Sequence, residues 1–355
     1  MIHTKSRRLL LHVARALGIF ALARRLTSRW VRILCYHGIS IGDQHEFSPG
    51  LFMRSETFER RLRTLAAGNW RVVELDEALA AMANNTVSGA PVAITIDDGW
   101  KSTIDHMVPA LSRANLPSML YVTTHYVQHR AEVFNVACQY MLWRSQRKSF
   151  ELKVGIEGID GSYQLNGDLA AVRRHFVKVA NQVLNEAGRQ QLLRQLAVAL
   201  DLDFDEMMRE GRFRLMEARE VAPLAAQGID VQLHTHRHRT PVSSQEDMAR
   251  EIIDNRQFLE PLKGSPCEHF CYPSGEYDSR HPGWLAACGI RSATTTDSGL
   301  CDAASNRLLL PRILDRDDWT DIEFEAALSG LHVILAPLRR NGTVERGLLG
   351  MLGPS

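Results

Sequence analysis

Two adjacent carboxylates stand at the end of an apolar run in this chain of 355 residues. The run Val92-Ala-Ile-Thr-Ile96 has branched residues at alternate positions, which predicts a buried strand, and Asp97-Asp98-Gly99 follows it. Neighbouring side chains at a strand end diverge, so one carboxylate can bind a cation while the other takes a proton from water. The pair therefore predicts metal-assisted hydrolysis.

A second group of candidate ligands lies in Ile229-Asp-Val-Gln-Leu-His-Thr-His-Arg-His238. Its alternating apolar residues predict another strand, and His234 and His238 come after it at a spacing of four. Together with Asp98 they form a set of two imidazoles and one carboxylate, which suits zinc or a neighbouring transition metal with a position left open for water.

Spacing alone is weak support for this pair, because His125 and His129 repeat it after another predicted strand. The order of two longer motifs is more specific. Thr95-Ile-Asp-Asp-Gly99 followed by His234-Thr-His-Arg-His238 resembles the first two signature motifs of the polysaccharide deacetylases, carbohydrate esterase family 4. Only Ile96 departs from the first motif, where the family has phenylalanine.

The resemblance implies roles for the residues of both motifs. Asp97 would be the general base, and the ligands of a divalent metal, with zinc as the first choice, would be Asp98, His234 and His238. His236 would not bind the metal, and its side chain would be either exposed or in a position to support a ligand. The same resemblance implies hydrolysis of an acetamide without a covalent intermediate.

A third segment, Phe270-Cys-Tyr-Pro-Ser-Gly-Glu-Tyr277, is similar to the Phe-Arg-x-Pro-Tyr-Gly segment of the family. The resemblance implies that the backbone amide of Ser274 donates to the oxyanion, a role that tolerates a changed side chain. Cys271 stands where many members have an arginine that orients the base. Arg312, in Leu308-Leu-Leu-Pro-Arg-Ile313, is either its replacement or part of an ordinary ion pair.

The general acid is missing from its usual place, because Leu331-His332 lacks the Leu-x-His spacing found near the end of many members. Instead, Ile33-Leu-Cys-Tyr-His-Gly-Ile39 resembles the amino-terminal Tyr-His strand end of the exopolysaccharide N-deacetylases. The resemblance implies that His37 protonates the leaving amine. The alternative is that this histidine only packs or caps.

Three aromatic residues are candidates for sugar binding: Trp100, Tyr272 and Trp319. Trp100 follows the first motif and either edges the pocket or packs in the core. Trp319 ends Asp315-Arg-Asp-Asp-Trp319, which is similar to a family motif whose aromatic residue lines the sugar groove.

Strand-like and helix-like segments alternate along the chain, which favours a parallel α/β sheet or barrel. The predicted strands are Val31–Tyr36, Val92–Ile96, Ser118–Thr123, Ile229–Leu233, His269–Tyr272 and Arg291–Thr295. The predicted helices are Phe58–Ala67, Asp76–Met82, Thr103–Ala114, Glu217–Gln227 and Gln245–Leu259, with Ser102 and Ser243 or Ser244 as caps.

The family resemblance implies a distorted (β/α) barrel with fewer than eight strands, its site at the carboxyl ends of the strands. A mainly helical insertion at about 125–215 covers the site or selects substrate.

The amino terminus is a basic arm, predicted for residues 1–30. The net charge of the chain is +1, yet residues 1–32 hold eight basic residues and no acidic one. Because the apolar residues of the arm are interrupted by His12 and Arg15, no stretch of about 20 uncharged residues can span a bilayer. The arm lies on an anionic membrane surface or caps the barrel, and an uncleaved signal anchor stays open.

The deacetylase domain is predicted for 31–335 and a tail for 336–355. Six cysteines, none at Cys-x-x-Cys spacing, read as reduced thiols of a cytoplasmic protein. The resemblance implies an N-acetylated amino sugar in a polysaccharide, oligosaccharide or lipid-linked glycan as substrate. A deformylase, an O-deacetylase and a non-catalytic glycan-binding protein are the alternatives. Nucleic acid is not an expected partner, because the arm lacks interleaved aromatic residues, and the oligomeric state is left open.

Overall fold

Seven parallel strands form a closed barrel within residues 4–165 and 169–340, which the computed structural model describes. The strands of the chain are β1 (Arg32–Tyr36), β2 (Gly38–Ile39), β3 (Phe52–Met53), β4 (Val92–Ile96), β5 (Ser118–Val122), β6 (Ser149–Leu152), β7 (Gly161–Gln164), β8 (Ile229–Leu233), β9 (His269–Cys271), β10 (Ser292–Ser298) and β11 (Leu310–Leu314). Around the barrel the order is β1-β11-β10-β9-β8-β5-β4, and β4 pairs with β1 to close it. The predicted barrel with fewer than eight strands is confirmed.

The helices surround the barrel and fill its connections. They are α1 (Thr4–Ala16), α2 (Ile19–Leu26), α3 (Gln44–Phe47), α4 (Ser55–Ala67), α5 (Leu75–Ala83), α6 (Val108–Arg113), α7 (His125–His129), α8 (Phe134–Arg144), α9 (Leu169–Val183), α10 (Glu186–Leu200), α11 (Phe204–Arg209), α12 (Gln245–Lys263), α13 (His281–Ala287), α14 (Asp321–Ser329) and α15 (Leu331–Arg340). One π-helical turn, Thr103–Met107, precedes α6.

Burial on both faces explains the apolar sequences of the barrel strands. Every residue of β1, β4 and β5 is buried, as expected for parallel strands with side chains inside the barrel and helices outside. The six predicted strands all belong to the barrel. The seventh, β11, appears in the sequence only as an apolar run, because Pro311 and Arg312 interrupt its pattern.

Two predicted helices and one predicted cap differ from the structure. The segment Thr103–Ala114 begins as a π turn, and Glu217–Gln227 forms two 3-10 turns, Ala218–Glu220 and Ala222–Gln227. Ser102 is not a cap, because its backbone is helical and its hydroxyl oxygen accepts a hydrogen bond from Ile39 N. Ser244 does cap α12, and its side chain accepts from Asp247 N.

The insertion is mainly helical, as predicted, and the structure gives it an apolar core of its own. Helices α8 to α11 pack around an antiparallel pair, β6 and β7. Phe176 and Leu193 are fully buried in this second core. The insertion therefore folds beside the barrel rather than within it.

The amino-terminal arm packs against the outside of the barrel. Phe20 of α2 is buried against Ile322 and Ala326 of α14, and ion pairs join Arg8 to Glu323 and Arg15 to another acid of α14. Among the described residues, no helix has the length and the apolar composition needed to cross a membrane. The tail predicted for 336–355 lies outside the described residues from 341 onward, and 336–340 continue α15.

Candidate active site

The two predicted motifs meet at one rim of the barrel, where β4 and β8 end. Asp98 Oδ1 lies 3.2 Å from His234 Nε2 and 3.1 Å from His238 Nε2. These three potential ligand atoms all lie within 4.8 Å of one another. Barrel closure thus brings together side chains 136 residues apart in the sequence.

The surroundings of these three side chains fit a divalent ion. Tetrahedral zinc with bonds of about 2.0–2.1 Å places its ligand atoms about 3.3 Å apart, close to the separations seen here. His234 Nδ1 lies 2.8 Å from the carbonyl oxygen of Cys271, to which it donates, which fixes the ring with Nε2 on the side of Asp98. Trp100 Nε1 donates to Asp98 Oδ2 over 2.8 Å, which turns Oδ1 towards the two imidazoles. The role of the three residues as metal ligands stays a prediction.

Left-handed backbone conformations are concentrated in the loops of this site. Asp98, Thr235, His238 and Ser274 have φ values of 73°, 60°, 52° and 56°. Each such conformation costs energy in a residue other than glycine, so the surrounding structure must hold it. The Asp98 carbonyl oxygen accepts from Thr123 N, and Thr235 Oγ1 accepts from the backbone later in its own loop.

Asp97 points into the barrel and forms a buried, two-bond ion pair with Arg312. Arg312 Nη1 donates to Asp97 Oδ1 over 2.8 Å, and Nη2 donates to Oδ2 over 2.7 Å. Thr95 Oγ1 and the carbonyl oxygen of Thr295 accept the other bonds of the guanidinium, and Cys271 Sγ lies 3.3 Å from Nη2. Burial alone would raise the pKa of Asp97, but the charge and hydrogen bonds of Arg312 lower it to about 2. Asp97 is therefore ionised at neutral pH.

His37 lies beside Asp97, where β1 ends. Its Nε2 is 3.7 Å from Asp97 Oδ2, and its Nδ1 is buried without a hydrogen-bond partner among the described residues. Burial lowers the pKa of His37 below its ordinary value, against the opposing effect of the Asp97 carboxylate. On the same strand, Cys35 Sγ lies 3.6 Å from Asp97 Oδ2. The structure thus brings together His37 and the predicted base, while the role of His37 as an acid stays a prediction.

Ser274 occupies an exposed turn directly after β9. The bonds that close this turn run from Gly275 N to Tyr272 O and from Glu276 N to Pro273 O, so the amide of Ser274 is not used in closing it. Gly275 has a positive φ, and a Cβ there would meet Thr296 Oγ1 at 1.9 Å, so glycine is required. The geometry suits a backbone donor, and the oxyanion role stays a prediction.

Two of the three predicted sugar-binding aromatics are buried. Trp100 is 2% exposed, packs on Phe52 and holds Asp98, while Tyr272 is 0% exposed and its hydroxyl donates to Leu308 O. Both rings are therefore buried in this structure, and direct substrate contact by Trp100 and Tyr272 stays a prediction. Trp319 is half-buried after β11, and its role stays a prediction.

The second histidine pair belongs to a different cluster, at the start of the insertion. The rings of His125 and His129 are 4.4 Å apart, and His125 Nε2 lies 3.4 Å from Glu186 Oε2. His125 N donates to the carbonyl oxygen of His236 over 2.8 Å, which links this cluster to the second motif. His236 itself is buried, with Nδ1 2.8 Å from Thr124 Oγ1, so it supports the loop.

Two buried polar residues of α12 hold the histidine loop and were missed by the sequence reasoning. Asn255 accepts a hydrogen bond from His234 N over 2.9 Å and donates to Val122 O over 3.0 Å. Glu251 accepts from Arg237 N over 2.8 Å. The signal was present in the sequence, since both polar residues fall on the otherwise apolar, buried face of the helix.

The end of the insertion supports the aspartate loop. Met216 N donates to Gly99 O over 2.8 Å, and Lys101 N donates to Arg214 O over 2.9 Å. Between these two bonds, Trp100 and Leu215 form an isolated antiparallel β-bridge. The insertion thus fixes the loop that carries the two carboxylates.

Replacing Asn255 by alanine should destabilise the protein and weaken metal binding. The change leaves His234 N and Val122 O buried without partners, which costs about 2–4 kcal/mol in the free energy of unfolding. Because His234 is then less well positioned, zinc affinity should fall about tenfold. Urea unfolding and zinc titration measure both effects, and exposed Gln257→Ala on the same helix is the control. Unchanged zinc affinity would show that Asn255 does not position His234.

The metal-free protein should lose stability as the pH falls, through His236. Burial, followed by the charges of Arg237 and His125, lowers the pKa of His236 from 6.5 to about 4. The unfolded chain therefore binds a proton between pH 6.5 and 4 that the folded chain does not, and stability drops across this window. Thermal unfolding in chelator should show a smaller drop for His236→Gln than for the wild type. Exposed His106→Gln should behave like the wild type; equal drops in all three proteins would contradict the prediction.

Comparisons with known proteins agree with this site. A family model described as polysaccharide deacetylase matches residues 205–293, which include His234, His238 and the Ser274 turn. A search of curated protein sequences gives no match. The chain is similar in structure to the deacetylase PplD from Streptococcus pyogenes in complex with acetate, with 15% identity, 85% of this chain and 99% of that chain covered, and a TM-score of 0.58.

Two further solved structures show the same fold. IcaB from Ammonifex degensii has 16% identity, with 85% of this chain and 97% of that chain covered and a TM-score of 0.53. A polysaccharide deacetylase from Bacillus cereus has 15% identity, with 85% of this chain and 69% of that chain covered and a TM-score of 0.53. The sequence match over residues 205–293 and the shared fold together confirm the resemblance to the polysaccharide deacetylases that the motifs indicate.

Proposed function

We propose that this protein is a metal-dependent hydrolase that removes an N-acetyl group from an amino sugar of a glycan. The observation that carries the proposal is the position of an ionised carboxylate, Asp97, directly beside a three-ligand cluster. Arg312 keeps Asp97 charged, and the cluster of Asp98, His234 and His238 has the donor types and separations that zinc requires. A general base next to a Lewis acid is the arrangement needed for hydrolysis of an amide by water.

Bound at Asp98, His234 and His238, a divalent ion would polarise the acetamide carbonyl and lower the pKa of water. Asp97 then takes a proton from the attacking water, since its own low pKa keeps it unprotonated beforehand. The amide of Ser274 donates to the developing oxyanion.

His37 completes the proton transfer in this proposal. Its lowered pKa leaves the imidazole neutral at the start, so it needs a proton from another group before it can act as an acid. Asp97 Oδ2, 3.7 Å from His37 Nε2, is the group placed to supply it. The proton taken from water would then pass to the leaving amine, which cannot depart as an anion.

The substrate class follows from the family resemblance, and the proposed location from two features of the chain. An N-acetylated polysaccharide, oligosaccharide or lipid-linked glycan is the proposed substrate. All six cysteines are free thiols, in accord with a reducing, cytoplasmic compartment. The packed basic arm is the proposed point of peripheral contact with a membrane.

Other acyl groups and a non-catalytic role are the competing functions. A deformylase or an O-deacetylase would use the same cluster and the same base. A glycan-binding protein on this fold would not need an ionised base held by a buried arginine, and this observation favours an enzyme. Release of formate rather than acetate, or binding of glycan without release of either acid, would decide for an alternative.

Replacing Asp97 by asparagine should abolish the activity without removing the metal. Zinc-loaded wild-type protein should release acetate from at least one member of a panel of N-acetylated glycans, and Asp97→Asn should lower the rate by a factor of about 10² to 10⁴. Both proteins should bind one equivalent of zinc, because Asp97 is not among the three ligands.

The matched control is Asp105→Asn, an exposed carboxylate after the same strand, which should keep wild-type activity. Since the loss of Asp97 leaves Arg312 buried without its partner, the fold of the variant is checked by circular dichroism. A well-folded, zinc-loaded Asp97→Asn protein with wild-type activity would refute the assignment of the base.

Replacing His37 by glutamine should affect amides far more than activated esters. The amine of an N-acetyl sugar must be protonated as it leaves, whereas the 4-nitrophenolate of 4-nitrophenyl acetate leaves unaided. We expect kcat for the glycan to fall about a hundredfold while hydrolysis of the ester stays within a few-fold of the wild type. His45→Gln, on α3, is the control. Equal losses on both substrates would show that His37 is not the acid.

A further inference from the structure

The amino-terminal arm has two apolar faces, and only one of them is covered. Its inner face buries Phe20 and Ala23, and Phe20 packs against α14. The outer face carries large apolar side chains that are 37% to 72% exposed, namely Leu9, Leu10, Val13, Leu17, Ile19, Leu22 and Leu26. Seven of the twelve exposed large apolar residues in the described part of the chain thus lie within 18 positions. Such a concentration marks an interaction surface.

Spacing makes these residues one stripe on each helix. Leu9 and Val13 of α1 and Leu17, in the turn directly after it, recur every four residues, and in α2, Ile19, Leu22 and Leu26 recur at three and four. Residues at these intervals share a helix face. The arm therefore presents apolar stripes outwards while it is fixed to the barrel from behind.

Two kinds of basic residue accompany the stripes. Arg7, Arg8 and Arg15 are paired with acids of α14, so their charges are used within the molecule. Among the residues that the structure describes, Lys5, Arg25 and Arg29 make no ion pair, and all three are exposed. Unpaired cations beside exposed leucines are the pattern of a helix at the interface of an anionic bilayer.

A recess opens beside the same surface, between α2 and the end of α4. Its volume is about 580 Å³, and its wall includes Arg24, Arg25 and Trp70, together with the ion pair of Arg15 and Glu325. The guanidinium of Arg24 lies 3.8 Å from the centre of the Trp70 ring. Arginines suit a phosphate group, and tryptophan favours the level of lipid headgroups.

We propose that the outer face of the arm seats the protein on an anionic phospholipid bilayer, with a headgroup phosphate in the recess beside Trp70. This deepens the peripheral placement that forms part of the proposed function, and rests on it. A second copy of the chain is a poor occupant, because two arms without a single acidic residue would face each other and repel. A bilayer supplies both the apolar layer and the negative charge.

Vesicle flotation tests the proposal with the full-length protein. At 150 mM salt, wild-type protein should bind phosphatidylcholine vesicles containing a quarter phosphatidylglycerol at least tenfold better than pure phosphatidylcholine vesicles. Leu17→Ser with Leu22→Ser and Leu26→Ser should lower binding to the mixed vesicles at least tenfold. Arg25→Ala with Arg29→Ala should lower it several-fold and weaken its dependence on salt.

The controls are changes of the same type elsewhere on the surface. Val198→Ser, also exposed, and Arg219→Ala, whose exposed side chain pairs with Glu217, should bind as the wild type does. Quenching of tryptophan emission by brominated lipid should be reduced in Trp70→Phe. Equal binding to both vesicle types, or no effect of the leucine substitutions, would overturn the proposal, as would a dimer in sedimentation velocity that these substitutions dissolve.

Failure of this proposal and failure of the proposed function can be told apart. The leucine variant should release acetate from a water-soluble glycan as fast as the wild type, because the arm packs on α14 and not at the rim of the barrel. Conversely, Asp97→Asn should bind vesicles normally. Loss of vesicle binding with intact activity, or the reverse, identifies which of the two surfaces has been wrongly assigned.

Discussion

The buried ion pair between Asp97 and Arg312 is the constraint on which the site depends. Removing two charges from water is costly, and only a guanidinium with all its donors satisfied can offset the cost. Thr95, Thr295 and the two oxygens of Asp97 satisfy Arg312. The pair fixes the direction of one carboxylate into the barrel, so its neighbour Asp98 must point the other way, towards the imidazoles.

The loops around this pair are anchored by residues that lie outside the cluster of Asp97, Asp98, His234 and His238. Asn255 and Glu251 anchor the histidine loop, while the end of the insertion bonds to Gly99 and its neighbours. These contacts oppose the strain of the left-handed residues at Asp98 and His238. The positions of Asp98, His234 and His238 therefore depend on α12 and the insertion as much as on the barrel.

The fold class, six of the seven barrel strands and the two ligand motifs could be predicted from the sequence, because their signals are local. An apolar run followed by polar residues locates a strand end, and parallel strands place such ends together. The burial of a side chain, in contrast, depends on residues that are distant in the sequence. Trp100 follows the same strand as Asp98, yet only the packing of Phe52 and the insertion decides that its indole turns inwards. The strand order, which sets β1 between β4 and β11, likewise depends on closure of the barrel.

Arg312 shows that the absence of an arginine from one motif, at Cys271, can lead to its replacement elsewhere in the chain. The thiol at Cys271 leaves Asp97 without a cation on the neighbouring segment, and a buried carboxylate with no partner is not tolerated. A charge must then come from another strand, and Arg312 of β11 supplies it, whereas Arg32 opens β1 and bonds to backbone carbonyl oxygens instead. The size of the cysteine completes the argument. Cys271 Sγ lies 3.3 Å from both Arg312 Nη2 and Asp97 Oδ2, so an arginine at position 271 would compete for the space that Arg312 fills. One cation pairs with Asp97, and the small thiol of Cys271 leaves the space in which Arg312 reaches it from β11.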